Sequence, residues 1–188
     1  GTYDLFSMQS PNRRIERSNS NINFLNTNYS LRNDLTEYEA KNIFLEGTGS
    51  LVLDRVNKIA YMAESNRSNV SLASKWSQLR GYDLVHFKSY IDKKPTYHTN
   101  VLMFITNKFA GICFDSISDS KNLLSNIEKT HKILNLSIEQ VKNFSGNAIV
   151  VRNINNEAKF LISSSGLKAF DLIQKRFIEK YYDIVDIN

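Results

Sequence analysis

Residues 50–63 read SLVLDRVNKIAYMA, two short apolar segments separated by the polar turn RVNK. Branched and aromatic residues on both sides of such a turn predict an antiparallel pair of strands, at 50–54 and 59–63. The next segment, VSLASKWSQLR at 70–80, predicts a helix, and YDLVHF at 82–87 predicts a third strand. The order strand, strand, helix, strand therefore predicts a unit of mixed α/β structure.

The same order of signals occurs twice more along the chain. In the second occurrence, NVLMFIT and FAGICFD flank the turn Asn107-Lys108 and precede a helix over SKNLLSNIEKTHKIL and a short strand at 135–137. In the third, NAIVVRN and KFLIS precede a helix over GLKAFDLIQKRFIEKYY and a terminal strand DIVDI. Self-similarity with a period of about 50 residues is typical of repeat and propeller architectures.

The helices of the second and third units are predicted from stripes of residues at helical spacing. These stripes contain Leu123, Leu124, Ile127, His131 and Leu134 in one helix, and Leu167, Phe170, Ile173, Phe177 and Tyr181 in the other. Ahead of the three units, LFSM, a helix over SPNRRIERSNSNINFL and the segment LRNDL predict part of a fourth unit. The expected repeats of this single domain are approximately 1–36 (incomplete), 44–90, 97–138 and 144–188.

Composition excludes several classes of protein. The 188 residues are 41% hydrophobic and 23% charged, which is typical of a globular chain. Apolar runs such as LMFI are far shorter than the roughly 20 residues of a membrane helix, and the first residues, GTYDLFSMQS, lack the layout of a signal peptide. A single cysteine, Cys113, excludes an internal disulfide and agrees with a reducing compartment. We therefore expect a cytoplasmic protein without membrane association.

The net charge of +5 does not predict a nucleic-acid partner. Cations alternate with acids in IEKTHK and QKRFIEKYYD, a pattern typical of solvated helix faces rather than of a clustered basic surface. The exception is NRRIER, with Arg13, Arg14 and Arg17. These arginines either clamp an anionic group of a substrate or lie on an exposed helix face with ion pairs to Glu16.

Repeat units arranged around an axis bring the residues ahead of each first strand to the same end of that axis. Those segments are FLEGTGS, YHTN and FSGN, which carry Glu46, His98 and Asn147. A carboxylate, an imidazole and an amide are side chains that acid–base sites use. The alternatives are a structural histidine beside a strand and an asparagine that belongs to a turn.

FLEGTGSLVLD followed by IAYM, then YHTNVLM, ICFDSI and FSGN, closely resembles the arginine-deiminase-related branch of the pentein superfamily. That branch is often labelled amidinotransferase-like, and its best-described members are citrulline hydrolases. NRRIER resembles its NRRxER segment. The resemblance implies an α/β fold, a pentein-type α/β propeller built of ββαβ repeats, with about three and a half of five modules present.

In that family a cysteine thiolate attacks the central carbon of a guanidino or ureido group, a histidine handles protons and a carboxylate holds the substrate nitrogens. By resemblance, Glu46 is the catalytic carboxylate and His98 the catalytic histidine. Imidazole titrates close to neutral pH, and a buried carboxylate favours its charged form. No group of histidines, cysteines and acids has ligand spacing, so we expect neither a metal nor a cofactor.

The nucleophile is where this sequence departs from the family. Relatives carry it in a glycine-rich segment, typically GGGSxRCM, and no such segment occurs here. Cys113, inside AGICFDSI, is interpreted as a small buried apolar residue and not as the nucleophile. We expect the 188 residues to be a portion of a longer protein. The alternative is a non-catalytic pentein-like fragment that binds a ligand or a partner.

Asn100 bears on substrate choice, because arginine deiminases typically have His-x-Asp where this chain has His98-Thr99-Asn100. An amide donates as well as accepts, so it suits a neutral ureido oxygen better than a guanidinium. Citrulline or another ureido compound is thus favoured over arginine, and Asn147 is a second candidate for substrate binding. His86 and His131 are expected to pack, and Gly47 and Gly49 to supply a backbone conformation that places Glu46. Whether the protein is a homo-oligomer stays open.

Overall fold

Two parallel strands form the N-terminal part of the computed structural model, which describes residues 1–187. Strand β1 (Thr2–Leu5) pairs with β2 (Ser30–Asp34), and helices α1 (Pro11–Arg14) and α2 (Asn19–Asn28) connect them. The prediction of a single helix here is wrong. Ser18 is extended and interrupts it, and its side chain caps the start of α2 by accepting a hydrogen bond from the backbone N–H of Asn21.

The first ββαβ unit follows a 3-10 segment at Thr36–Lys41. It comprises a helical turn α3 (Gly47–Ser50), β3 (Val52–Asp54), β4 (Ile59–Ala63), α4 (Val70–Arg80) and β5 (Asp83–Phe87). The predicted helix and strands are confirmed, except that β3 begins at Val52 because residues 47–50 form α3. Asn69 caps α4 at its start, and Gly81, with φ 69°, ends it.

The second unit begins after a hairpin and a 3-10 turn. These comprise β6 (Tyr90–Ile91), β7 (Lys94–Pro95) and Thr99–Val101, and the unit itself comprises β8 (Met103–Ile105), β9 (Phe109–Ile112), α5 (Ser120–Glu128) and β10 (Lys132–Asn135). The prediction that the helix runs to Leu134 is wrong. Residues 132–135 instead pair in parallel with β9, so His131 and Leu134 lie beyond the helix.

The third unit carries two helices where one was predicted. It follows α6 (Ile138–Lys142) and comprises β11 (Ile149–Arg152), β12 (Ala158–Ser163), α7 (Ser164–Ala169), α8 (Leu172–Glu179) and β13 (Asp183–Ile187). Phe170 is extended, and Asp171 forms a capping box with Gln174 that starts a new helix. Ile173 was predicted to pack but is 80% exposed, because α8 turns its first residues outward.

Each of these three units forms its own three-stranded sheet in which the first two strands are antiparallel and the last two parallel. The second and third units share a core in which the rings of Phe104, Phe109 and Phe160 lie 5.3 to 6.2 Å apart. The α/β class is confirmed. The propeller arrangement and the repeat boundaries stay predictions.

The N-terminal strands are tied to the first unit. The indole N–H of Trp76 in α4 donates to Asp4 in β1 at 2.8 Å, and Arg80 lies 3.5 Å from the same carboxylate. A second apolar cluster, with Leu45, Met62 and Trp76, lies beneath this junction. The junction brings the loop after β1 alongside α3. Within residues 1–187, none of the helices has the length and apolar character needed to cross a membrane.

Candidate active site

Glu46 and His98, 52 residues apart in sequence, meet in the folded chain. The Nε2 atom of His98 lies 2.7 Å from Oε2 of Glu46. The carboxylate side chain is 2% exposed, whereas the imidazole is 18% exposed. A buried acid thus faces an imidazole that solvent and small molecules can reach.

Backbone geometry fixes the carboxylate. Glu46 immediately precedes α3, and its own amide donates to the hydroxyl of Ser50. Its Oε1 accepts the amide N–H of Gln9 at 2.8 Å, and Arg67 Nη1 lies 3.7 Å from Oε2. Gly47 has φ 52°, a left-handed conformation that favours glycine, as predicted.

Gly49 has a different role from the predicted one. A Cβ atom at this position would lie 2.8 Å from Cε1 and Nδ1 of His98. The imidazole therefore rests directly against the backbone of α3, and Gly49 provides the space for it. No conformational demand is needed to explain the glycine.

The pKa of His98 is held below its ordinary value. Burial is the largest cause, and the charges of Arg67 and Arg13 act in the same direction, while the hydrogen bond and charge of Glu46 oppose them. Glu46 does favour imidazolium, as expected, but burial outweighs its effect. A neutral imidazole, which can accept a proton, predominates at neutral pH.

The pair lies in a cleft of about 820 Å³. Asn100 lines this cleft together with Glu46 and His98. Three arginines, Arg13, Arg17 and Arg67, also line it, as do the acidic residues Asp4 and Glu16. Tyr97 contributes an aromatic wall, with its ring centroid 4.9 Å from that of His98. The arrangement presents an acid and a base at one place and positive charge nearby.

Asn147 is not among the residues that line this cleft. It is exposed in a turn, where its backbone N–H donates to the carbonyl of Phe144, a residue with φ 66°. The adjacent Gly146 packs so closely on the carbonyl of Val101 that a Cβ would come within 2.2 Å of that oxygen. These contacts agree with the turn alternative, and a binding role for Asn147 stays a prediction.

Arg13 pairs with Glu16, as one of the two alternatives expects, whereas Arg14 and Arg17 pair with Glu39. Arg13 forms an exposed ion pair with Glu16 at 2.7 Å while also lining the cleft. Arg17 donates to both carboxylate oxygens of Glu39, at 2.7 and 3.0 Å, and Arg14 lies 3.1 Å from the same group. Arg14 and Arg17 are thus half-buried and paired with Glu39, and Arg17 also lines the cleft.

Glu39, which the sequence did not single out, anchors the cleft wall. It accepts the amide of Met8 at 2.8 Å, next to Gln9, whose amide binds Glu46. Burial tends to raise the pKa of Glu39, but the hydrogen bonds from Arg17 and Met8 and the nearby charges together hold it below its ordinary value. The segment from residue 6 to residue 9 is therefore held in place by an ionised carboxylate.

Arg67 is another residue that sequence reasoning missed. Its Nε donates to the side chain of Gln9 at 3.1 Å, and its guanidinium lies 5.4 Å from the Tyr97 ring centroid. One feature of the sequence could have indicated Arg67. It lies in the polar segment ESNRSN, which links β4 to α4 in the unit that carries Glu46.

The remaining titratable candidates lie outside the cleft lining. Cys113 is fully buried, as predicted, and burial raises the pKa of its thiol. His131 is buried 3.7 Å from Asp54, and His86 pairs with Glu64 at 2.7 Å on the surface.

Solved structures with the same fold are arginine-processing enzymes. A substrate-bound variant of the N-terminal domain of ArgZ, an arginine dihydrolase from the ornithine-ammonia cycle in cyanobacteria, matches with a TM-score of 0.71 at 13% identity, covering 98% of this chain and 63% of that one. AgrE in complex with ornithine and NAD⁺ matches with a TM-score of 0.72 at 13% identity, covering 98% and 25%. A citrulline complex of DDAH from Pseudomonas aeruginosa matches with a TM-score of 0.58 at 13% identity, covering 100% and 63%.

At these identities the likeness shows the pentein fold alone, and the chain spans at most 63% of the length of these three structures. No curated protein matches the sequence significantly. The family model described as N,N dimethylarginine dimethylhydrolase, eukaryotic, matches residues 1–188. The chain therefore belongs to the dimethylarginine dimethylhydrolase family, within the pentein superfamily that its motifs resemble.

Proposed function

We propose that this chain supplies the acid and the imidazole of a hydrolase site that cleaves the C–N bond of a guanidino or ureido group. The carrying observation is the 2.7 Å contact between Glu46 and His98 at a cleft. The nucleophile in this proposal is a cysteine thiolate from a segment that the 188 residues do not contain, because Cys113 is buried and its thiol pKa is raised.

The chemistry divides between the two side chains. Glu46 accepts hydrogen bonds from the N–H groups of the substrate and so orients its central carbon. The imidazole first takes the proton of the cysteine thiol, and the resulting thiolate forms a bond to that carbon. The leaving nitrogen then departs with this proton from the imidazolium. Water then attacks, His98 removes a proton from it, and the sulfur–carbon bond breaks to restore the thiolate. The lowered pKa of His98 suits its role as the base in the water step.

The walls of the cleft suit a substrate with an amino-acid end. Arg13 and Arg67 provide positive charge within the same cleft as the acid–imidazole pair, and a guanidinium is well suited to a carboxylate. Asn100 lines that cleft. Its side-chain amide suits the neutral oxygen of a ureido group better than the cationic guanidinium of arginine. Citrulline or another ureido compound is therefore the proposed substrate class, ahead of arginine.

A second candidate is a relative that binds such a ligand without chemistry. The observation that favours it is that the one cysteine of the sequence is buried away from the cleft lining. The same charges and the same acid would then serve recognition alone.

The full-length gene product distinguishes the two candidates when it is incubated with citrulline, arginine and dimethylarginine and the released ammonia or dimethylamine is quantified. We expect turnover of citrulline to exceed that of arginine, and Glu46→Gln to abolish it. Glu64→Gln removes a carboxylate that also contacts a histidine at 2.7 Å, but on the surface, and should retain turnover. A preference for arginine would refute the role of Asn100. Calorimetric binding of these compounds without turnover would favour the second candidate.

Five further statements stay predictions: a cytoplasmic location, the amidinotransferase-like label, the absence of nucleic-acid and membrane partners, the possibility of a homo-oligomer, and catalysis without a metal or cofactor.

A further inference from the structure

Four buried hydroxyl groups lie beneath the segments that carry the polar groups of the cleft. They belong to Ser7, Ser50, Ser68 and Thr99, each at most 1% exposed. The Ser7 hydroxyl accepts the amide of Leu45, next to Glu46, at 3.0 Å. Most buried hydroxyls make at least one hydrogen bond, and the partners of these four show which segments they join.

Ser50 is the centre of this network. Its hydroxyl accepts the amide of Glu46 at 2.8 Å and the hydroxyl of Ser68 at 2.8 Å, and it donates to the carbonyl of Arg67 at 2.8 Å. One hydroxyl therefore holds the backbone at both the carboxylate and the guanidinium of the cleft.

Thr99 joins the imidazole to the same network. It directly follows His98, and its hydroxyl donates to the carbonyl of Ser50 while accepting the amide of Ala63 at 2.7 Å. The histidine backbone is thereby fixed both to α3, which follows Glu46, and to strand β4.

We propose that Ser50 and Thr99 are positioning residues, which set the spacing of Glu46, His98 and Arg67 before any substrate enters. The catalytic meaning of this inference rests on the proposed function, but the positioning itself is a property of the folded chain. A purely structural role predicts only a loss of stability when a hydroxyl is removed. A positioning role also predicts a changed environment for His98.

The test uses the titration of His98 followed by NMR, with the imidazole signal assigned by its disappearance in His98→Gln. Thr99→Val preserves shape but leaves the carbonyl of Ser50 and the amide of Ala63 without their partner. We expect the His98 loop to loosen and the pKa of His98 to move up towards its ordinary value, because burial is the largest cause of its lowering. Thr99→Ser keeps the hydroxyl and should restore the original titration.

Thr106→Val is a matched control. Thr106 is 4% exposed and its hydroxyl bonds the carbonyl and amide of Phe109, in the turn between β8 and β9 and outside the cleft lining. It should lose stability with the His98 titration unchanged. An unchanged titration in folded Thr99→Val would overturn the proposal. If that variant does not fold, the same measurement on Ser50→Ala decides it by the same criterion.

Titration requires no turnover, so the inference and the proposed function fail separately. In an active full-length protein, Thr99→Val should also lower kcat about tenfold with KM nearly unchanged, since misplacement affects the transition state more than binding. An inactive protein whose His98 titration responds to Thr99→Val would refute the hydrolase and retain the positioning network.

Discussion

Two buried carboxylates, Glu46 and Asp54, each face an imidazole, yet only one pair has the properties of a site. Both carboxylate side chains are 2% exposed. Asp54 uses its oxygens on the turn that follows β3, accepting two backbone amides and the side-chain amide of Asn57. Glu46 accepts the amide of Gln9 and faces His98, and it borders a cleft. Since a carboxylate can accept about four hydrogen bonds, Glu46 keeps capacity for a ligand.

The surroundings of the two imidazoles differ in the same sense. His131 is buried beside the hydroxyl of Thr130 at 2.8 Å. Nearby, burial and the charge of Asp54 raise the pKa of Tyr61 to about 12, and within residues 1–187 its hydroxyl has no hydrogen-bond partner. The side chains of Tyr61, Asp54 and His131 are all buried. The comparison indicates that an acid–imidazole pair is a candidate site where the carboxylate can still accept hydrogen bonds and borders a cleft.

The largest expected effect comes from replacing His98 and His131 separately in the full-length protein. His98→Gln should lower kcat/KM by about 10²- to 10⁴-fold, the usual contribution of a general acid–base group. His131→Gln should reduce the denaturant midpoint while each folded molecule retains its turnover. Equal losses of kcat/KM in the two variants would show that the distinction drawn between the pairs is wrong.

The space above Gly49 offers a sharper test. Gly49→Ala places a Cβ 2.8 Å from the His98 ring and must displace it, so we expect kcat/KM to fall about 10²-fold with a smaller effect on folding. Gly81→Ala is the control, because Gly81 has φ 69° with nothing within 4 Å of the added atom. It should cost about 1 kcal/mol of stability and leave kcat/KM unchanged. Full activity of Gly49→Ala would contradict the close contact.

The smallest effect is the pH dependence of stability. Because the pKa of His98 is lower in the folded chain than the ordinary 6.5, the unfolded chain binds a proton first as pH falls. The contribution of His98 to stability is therefore present above pH 6.5. It is lost as the pH falls from 6.5 through the pKa of His98 in the folded chain. Urea unfolding at several pH values in this window should show a steeper decline for the wild type than for His98→Gln. Parallel curves would contradict the lowered pKa.

The sequence predicted strands better than helix ends. Runs such as residues 59–63, bounded by turns, have few alternatives to a strand. Ile133 and Leu134 continue the helical spacing of α5, but their parallel pairing with β9 is a tertiary effect that spacing cannot reveal. Similarly, the break at Phe170 follows from the capping box of Asp171, which the apolar stripe concealed.

The proximity of Glu46 and His98 was predictable from repeat position and from the family resemblance, while their catalytic roles stay a proposal. Gln9 and Arg67 were missed because no corresponding position in another unit pointed to them. Their placement depends on the Glu39 network and on Ser50, contacts between segments that no local pattern encodes. Asn147 was predicted by the same argument as Glu46; it does not line the cleft, and its binding role stays a prediction.

The bond from the Trp76 indole to Asp4 joins residues 72 positions apart in the chain. During translation, β1 emerges from the ribosome long before its partner in α4 exists. Strand β1, which precedes the loop that presents Gln9 to Glu46, therefore gains its bond to α4 only after most of the first unit has been synthesised. Assembly of the cleft is therefore a late event for the residues of β1.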